Sequence, residues 1–476
     1  MRRRFSVSLG DPFLDYLLGG AARGYLIIVA GNPGTGKTIF SAQCAYRNIL
    51  RGLKAAYISL AEPREVFLRC MEGLGMKFKR LEEKGLFKFL DLASPTDPSF
   101  MDRMLEVSLK EVLDFKADVL VVDSLSALLQ LTEREKARSL VHNLFTRVIR
   151  AGGVTTVAVV EVPRGEKRIG LGVEEFIADM VFFLVRREIE ARLGRQLEVV
   201  KARGVEVKYP RMLYTLHGGF KTIPPFSFKP PRYVEPFKPI EDFPNAYSTG
   251  VSDLDAMLGG YPKRGVVHLE IGENVEVSMY HLFAATPLVN FMVKGRGVLL
   301  FPTTGVDAGI VHRAGRSYGL ADESLRKCVR VVQLGPPSPG MEDWVVEVKG
   351  ASFKEDYKQW LTSLRTLQEV TGSKEVAVFI GADSVYHQYG KDCMHRFLSL
   401  EALRTRMEGG LLLIATKPGL ESRAVKAVSN VADVHLKLVR RRGALLIYGL
   451  KPRTELHAVS VDVSQGYPIP KLTPMV

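Results

Sequence analysis

The chain has 476 residues, 66 Lys+Arg against 52 Asp+Glu, a formal charge of +14, and 46% hydrophobic with 25% charged residues. That balance excludes a disordered or fibrous chain and leaves room for about two to four domains, each with a real core. Four scattered cysteines, Cys44, Cys70, Cys328 and Cys393, form no CxxC pair, which argues against a disulfide framework or a cysteine-held metal and for a reducing, cytoplasmic compartment.

At the N terminus, MRRRFSV is basic, but Asp11 and Asp15 arrive before any apolar stretch, unlike a signal peptide. The most apolar runs, 119–131 and 180–185, are too short or too polar to span a bilayer, so a soluble protein with no membrane partner is expected. The positive charge is spread along the chain. It suits an acidic partner such as nucleic acid and equally a plain basic surface.

In chain order, YLIIVAG (25–31) reads as an apolar strand and KTIFSAQCAYRNILRG opens a helix; AAYISLA (55–61) is a second strand, followed by helical spacing over 63–75. DVLVVD (118–123) and VTTVAVVEV (154–162) are β-branched runs suited to a buried parallel sheet, and LEVVKAR (197–203) is a further strand. The alternation predicts an α/β domain with a largely parallel sheet flanked by helices.

Between the first strand and helix, GNPGTGKT (31–38) fits G-x-x-x-x-G-K-[ST] in full. Gly31, Gly34 and Gly36 let successive N–H groups of Gly31, Asn32, Pro33, Gly34, Thr35, Gly36, Lys37, Thr38 and Ile39 (Pro33 excepted) curl around phosphate oxygens. Lys37 places a charge at the β- and γ-phosphates, Thr38 offers a hydroxyl to Mg²⁺, and the helix N terminus adds its dipole. Asp123, ending VLVVD, has the position of a carboxylate that holds Mg²⁺ through water. Glu62, after the second strand, can orient and deprotonate an attacking water, where the plain alternative is a surface Glu opening a helix. Lys201 and Arg203, two apart on a strand, share a face and could reach a γ-phosphate; spacing alone favours a solvated edge-strand face.

The chain repeats itself. Leu14 matches Leu254 and Gly19-Gly20 match Gly259-Gly260 at an offset of 240; Gly24 and Gly31 match Gly265 and Gly272 at 241. Gly152-Gly153 with Gly409-Gly410, Ala178-Asp179 with Ala432-Asp433, and Lys201-x-Arg203 with Lys451-x-Arg453 follow in the same order. Two tandem domains are expected, 1–222 and 246–476, joined at 223–245 within a stretch (221–247) that carries seven prolines and suits an extended connector. In the second copy GENVEVSM (272–279) sets Val275 and Val277 against Gly34 and Gly36, Ser278 against Lys37 and Met279 against Thr38, with Glu273 and Glu276 adding negative charge. Gly381 or Asp383 falls at the place of Asp123. The second domain is therefore expected not to bind Mg-ATP in the usual way.

LDYLLGGAARG, GNPGTGKT, YISLAEP, VLVVDS and LEVVKARG together resemble the KaiC-like branch of the RecA/RadA ATPases, over the first 220 residues or so and more weakly over 246–465. The resemblance implies two tandem RecA-like P-loop domains, hexameric rings with ATP at subunit interfaces, and a K-x-R-G segment whose Lys201 and Arg203 serve the neighbour's nucleotide. The family usually carries Glu-Glu after the second strand where this chain has Ala61-Glu62, which leaves room for slow hydrolysis. The autokinase activity of KaiC's second domain is not carried over to the degenerate copy.

The favoured function is a regulatory Mg-ATPase with one site per chain, whose C-terminal pseudo-ATPase domain serves assembly or binds a protein partner. Two alternatives stay open. One is a DNA-directed recombination or repair ATPase, using Arg164, Lys167 and Arg168 in the loop 163–176. The other is a non-hydrolysing ATP sensor.

Overall fold

The computed structural model describes residues 7–60, 62–92, 98–126, 152–163, 177–337 and 339–476. The chain divides into two compact units, one of Met1–Pro224 with Met475–Val476, the other of Pro225–Pro474.

The first unit contains β1 (Leu26–Gly31), β2 (Ala55–Ser59), β3 (Phe87–Asp91), β4 (Val119–Asp123), β5 (Thr155–Glu161), β6 (Met180–Ile189), β7 (Arg192–Ala202), β8 (Arg211–Thr215) and β9 (Lys221–Ile223). They form one sheet in the order β3-β2-β4-β5-β1-β6-β7-β8-β9. The first six strands run parallel, and β6 through β9 are joined antiparallel. The central strands are buried on both faces, as their unbroken apolar runs require. Helices α1 (Pro12–Leu18), α2 (Lys37–Ile49), α3 (Arg64–Gly73), α4 (Phe78–Glu83) and α5 (Pro98–Asp114) accompany the sheet. Phe40, Ala42, Cys44, Ala45 and Ile49 of α2 are buried in a cluster with Ile27, Val29, Phe182 and Leu184 of the sheet. β7 is longer than the sequence suggests because it forms a hairpin with β6, closed by Glu190 and Ala191 at φ 52° and 55°.

The second unit repeats the plan. A small pair, β10 (Ala246–Tyr247) and β11 (Tyr261–Pro262), precedes β12 (Val266–Ile271), β13 (Gly297–Phe301), β14 (Val329–Leu334), β15 (Val345–Val348), β16 (Val376–Gly381), β17 (Leu411–Thr416), β18 (Val434–Arg441), β19 (Ala444–Lys451), β20 (His457–Asp462) and β21 (Ile469–Pro474). The large sheet has the order β15-β14-β13-β16-β17-β12-β18-β19-β20-β21. The tandem α/β architecture is thus present as two mostly parallel sheets flanked by helices.

Of the proline-rich stretch, 221–223 is strand β9, and 225–245 runs without helix or strand. It docks on the second unit: Phe226 N donates to Gly443 O (2.8 Å), Glu235 N to Gly466 O (3.1 Å) and Phe237 N to Tyr318 O (3.0 Å).

The register between the copies corrects the sequence alignment by one residue. Asp179 N donates to Leu26 O and its Oδ2 accepts from Leu26 N; Asp433 makes the same pair of bonds with Val266. Leu26 therefore corresponds to Val266, an offset of 240 that continues from Gly19-Gly20 with no insertion. The misleading match was Gly24 with Gly265. The left-handed turn residue at Gly24 (φ 72°) is Arg264 (φ 61°) in the second copy.

Candidate nucleotide site

β1 delivers the chain to the C-terminal edge of the sheet, and α2 leaves it from Lys37. The loop between them needs its glycines for stated reasons. A Cβ on Gly31 would lie 2.3 Å from Leu184 O. Gly34 (φ 72°) and Gly36 (φ 90°) hold left-handed conformations. Asn32 Nδ2 donates to Val162 O (3.0 Å) and Pro163 O (3.1 Å), and Thr35 Oγ1 donates to Asn32 O (2.7 Å). This is a pre-shaped anion cradle at a helix N terminus. Ile39 lies in the first turn of α2.

Lys37, only 5% exposed, donates to Asn32 O (3.0 Å) and pairs with Glu161 Oε2 (2.9 Å). Phosphate would replace those partners. Asp123 ends the neighbouring strand, where its Oδ2 accepts from Tyr57 Oη (2.7 Å) and the Thr38 hydroxyl bonds the same carboxylate. Burial raises its pKa against those hydrogen bonds. Glu62 is fixed through its backbone, since Ser59 Oγ donates to Glu62 O (2.7 Å) and accepts from Glu62 N (3.1 Å). Burial first, then the charge of Asp123, push the Glu62 pKa up, the direction a general base for water needs. Lys37, Thr38, Asp123 and Glu62 are thus assembled at one edge of one sheet. The donor set fits Mg²⁺ carrying phosphate oxygens: one hydroxyl, one carboxylate, and among the described residues no group of three His, Cys, Asp or Glu that could hold a metal alone.

Lys201 and Arg203 are not brought to this loop. Lys201 pairs across the ladder with Val181, and Arg203 lies beyond β7, where its N donates to Asp179 O (2.8 Å) and its Nη1 bonds Asp179 Oδ1 (2.9 Å). Asp179 is tied to Leu26, at the opposite end of β1 from Gly31. Five residues of strand, roughly 16 Å, separate them. Ala61 and the loop residues Arg164, Lys167 and Arg168 lie outside the described residues.

Sequence reasoning missed Glu161, Tyr57, Tyr214, Arg186 and Arg195. Tyr214 Oη donates to Thr35 O (2.6 Å), and Arg186 Nη2 donates to Gly34 O (2.8 Å). Glu161 follows a buried apolar run at a strand end, as Asp123 does, and could have been found on that signal.

In the second unit, the corrected register places Asn274 opposite Gly34, Glu276 opposite Gly36, Val277 opposite Lys37 and Ser278 opposite Thr38. Val275, Val277 and Met279 are therefore not at the positions expected from the sequence. Asn274 keeps the left-handed turn (φ 60°), Ser278 keeps a hydroxyl, and the lysine is gone. Glu276 instead pairs with Arg440 (3.2 Å). Val122 and Ile380 occupy matching ladder positions, so Gly381 stands where Asp123 stands. Asp383 lies two residues further on, with Oδ2 accepting from Thr304 N (2.9 Å).

A family model described as "ATPase: KaiC" matches residues 7–223. A UPF0273 protein of Pyrococcus horikoshii is 32% identical over 218 residues, 43% of this chain and 87% of that relative. The chain belongs to the KaiC-like family of the RecA superfamily. Protein GvpD2 of Halobacterium salinarum is 27% identical over 487 residues, covering 95% of this KaiC-like chain and 94% of the relative. The circadian clock oscillator protein KaiC of Thermosynechococcus vestitus is 27% identical over 362 residues, 72% of this chain and 67% of its own length. The family membership supports an ATP-binding, ATPase-type function. Among the described residues, no helix is long and apolar enough to cross a membrane.

Proposed function

We propose that this KaiC-like chain hydrolyses Mg-ATP at one site, in its first unit, and uses that cycle for regulation. The observation that carries the reading is the joint placement of Lys37, Thr38, Asp123 and Glu62 around a glycine loop, against Val277, Ser278 and Gly381 at the matching places of the second sheet. Thr38 and, through water, Asp123 would hold Mg²⁺, which supplies charge neutralisation at the β- and γ-phosphates. Lys37 moves from Glu161 to the phosphates. Glu62 orients the water and takes its proton. Lys201 and Arg203, too far from their own loop, serve the nucleotide of a neighbouring subunit in a ring, which we take to be hexameric. The second domain, expected from the sequence over residues 246–476 beyond the segment 223–245, serves assembly or binds a protein partner, and the protein works in the cytoplasm.

The test is ATP turnover by the full chain and by Glu62→Gln and Lys37→Ala, with and without single- and double-stranded DNA. Glu62→Gln is expected to lower kcat by about 10²–10⁴ while ATP binding persists. Turnover stimulated by DNA would favour a DNA-directed ATPase instead. Turnover equal to the Lys37→Ala background despite ATP binding would make the protein a sensor. Arg203→Ala mixed with Lys37→Ala should regain activity, because each supplies what the other lacks.

A further inference from the structure

Arg195 on β7 is only 8% exposed, and its Nε and Nη1 meet no acceptor among the described residues. Its partner directly across the ladder is Arg186 on β6. Arg186 reaches the phosphate loop, donating to Gly34 O from Nη2 (2.8 Å) and Nε (3.2 Å). From β8, on the other side of β7, Tyr214 reaches Thr35 O. Two guanidinium groups facing across a ladder repel each other. Burial pushes the Arg195 pKa down, Tyr214 acts the other way, and the charge of Arg186 adds a smaller push down. A buried cation with unfilled donors is costly unless an anion answers it.

The second unit supplies an internal control. Arg440 stands where Arg186 stands and bonds Glu276. The residue across the ladder from Arg440 is Leu445, fully buried. The half that lacks the loop lysine has replaced the buried arginine by an apolar side chain and given the other arginine a carboxylate. The half that keeps the lysine keeps both cations, and among the described residues neither has a carboxylate partner.

We propose that Arg186 and Arg195 form an oxyanion subsite beside the loop of their own subunit, taking a phosphate-type group. The source is either a phosphate of the nucleotide on that loop or free inorganic phosphate. The nucleotide source rests on the reading of the first unit as an ATP site; the free-phosphate source does not.

The test titrates the full chain with inorganic phosphate, and separately with ADP and a non-hydrolysable ATP analogue, in the wild type, Arg195→Met, Arg186→Gln and Lys37→Ala. Arg195→Met is expected to keep or raise Tm while weakening phosphate or nucleotide binding by about tenfold or more. Phosphate binding that survives Lys37→Ala and disappears in Arg195→Met identifies free phosphate. Unchanged phosphate behaviour with weakened nucleotide binding identifies the nucleotide's own phosphate. Wild-type affinities for both ligands in both arginine variants would overturn the subsite. If Arg195→Met does not fold, Arg186→Gln, an exposed position, decides alone. Nucleotide binding lost in Lys37→Ala but intact in the arginine variants leaves the ATP reading standing while the subsite falls; no nucleotide binding by the wild type sinks the ATP reading, and the phosphate titration then decides the subsite.

Discussion

At the C-terminal edges of β1 and β12 the two halves of the chain arrange charge in opposite ways. In the first, the cation is Lys37 on the loop, and the adjoining strand end is Glu161. In the second, the loop position is Val277, and the residue after Thr416, matching Glu161, is Lys417, whose Nζ donates to Thr304 O (2.8 Å). The sheets differ beneath as well. Ile28, Ala30, Val181 and Phe183 give way to His268, Glu270, His435 and Lys437. Glu270 pairs with Lys437 (2.7 Å) and hydrogen-bonds His435 Nε2 (3.0 Å), with His268 stacked on His435 at 4.1 Å. One fold tolerates either apolar or polar side chains at these four sheet positions. On the proposed reading, phosphate chemistry resides in a few loop and strand-end positions, not in the sheet.

The strongest way to break this comparison is Lys37→Ala, expected to reduce turnover on the order of 10²–10³. Val277→Lys should create no second activity, because Gly381 leaves the metal without its carboxylate; ATP turnover by a chain carrying both Lys37→Ala and Val277→Lys, above the Lys37→Ala background, would refute that. Next in size is a pH effect confined to the second sheet. Burial pushes His268 down to about 3 from 6.5, so below pH 6.5 the unfolded chain takes a proton that the folded chain refuses. Stability should fall as pH drops from 6.5, by about 2 kcal/mol at pH 5. Glu270, held at about 2 by His435 and Lys437 against its burial, loses its contribution only below its ordinary 4.5. His281, pushed down to about 4, adds to the slope in the upper window. His268→Leu should flatten the pH dependence of hydrogen exchange in β12 between pH 6.5 and 5, and an unchanged slope would remove His268 from the account. The smallest effect is Gly34→Ala, about 1 kcal/mol of backbone strain at φ 72°, with its Cβ 2.5 Å from Arg186 Nη2. Asn274→Gly, at the matching turn, should change stability by only a few tenths of a kcal/mol. Equal losses at the two positions in thermal unfolding would contradict the assigned register.

What was legible in the sequence was whatever is local. The strand–loop–helix order around GNPGTGKT, the apolar run ending in Asp123 and the collinear repeat all follow from spacing along the chain. The register of the second copy was misread because Gly265 looks like the partner of Gly24, whereas backbone conformation assigns that turn to Arg264. Arg195 was invisible for a different reason. Its burial and its neighbour depend on the β6–β7 pairing, and one arginine in an arginine-rich hairpin carries no mark of either. Tyr57 likewise gains meaning only when β2 lies beside β4.

The seating of 225–245 has a practical consequence for cutting the chain. Phe237 packs its ring against Tyr467 (5.0 Å between centroids) and Tyr318 (5.9 Å), and Asn290 caps the backbone of Ile240. A fragment started at 246, where the prolines end, would uncover that aromatic cluster at a cost of about 3–5 kcal/mol and invite aggregation. A fragment started at Pro225 keeps its own wrapping.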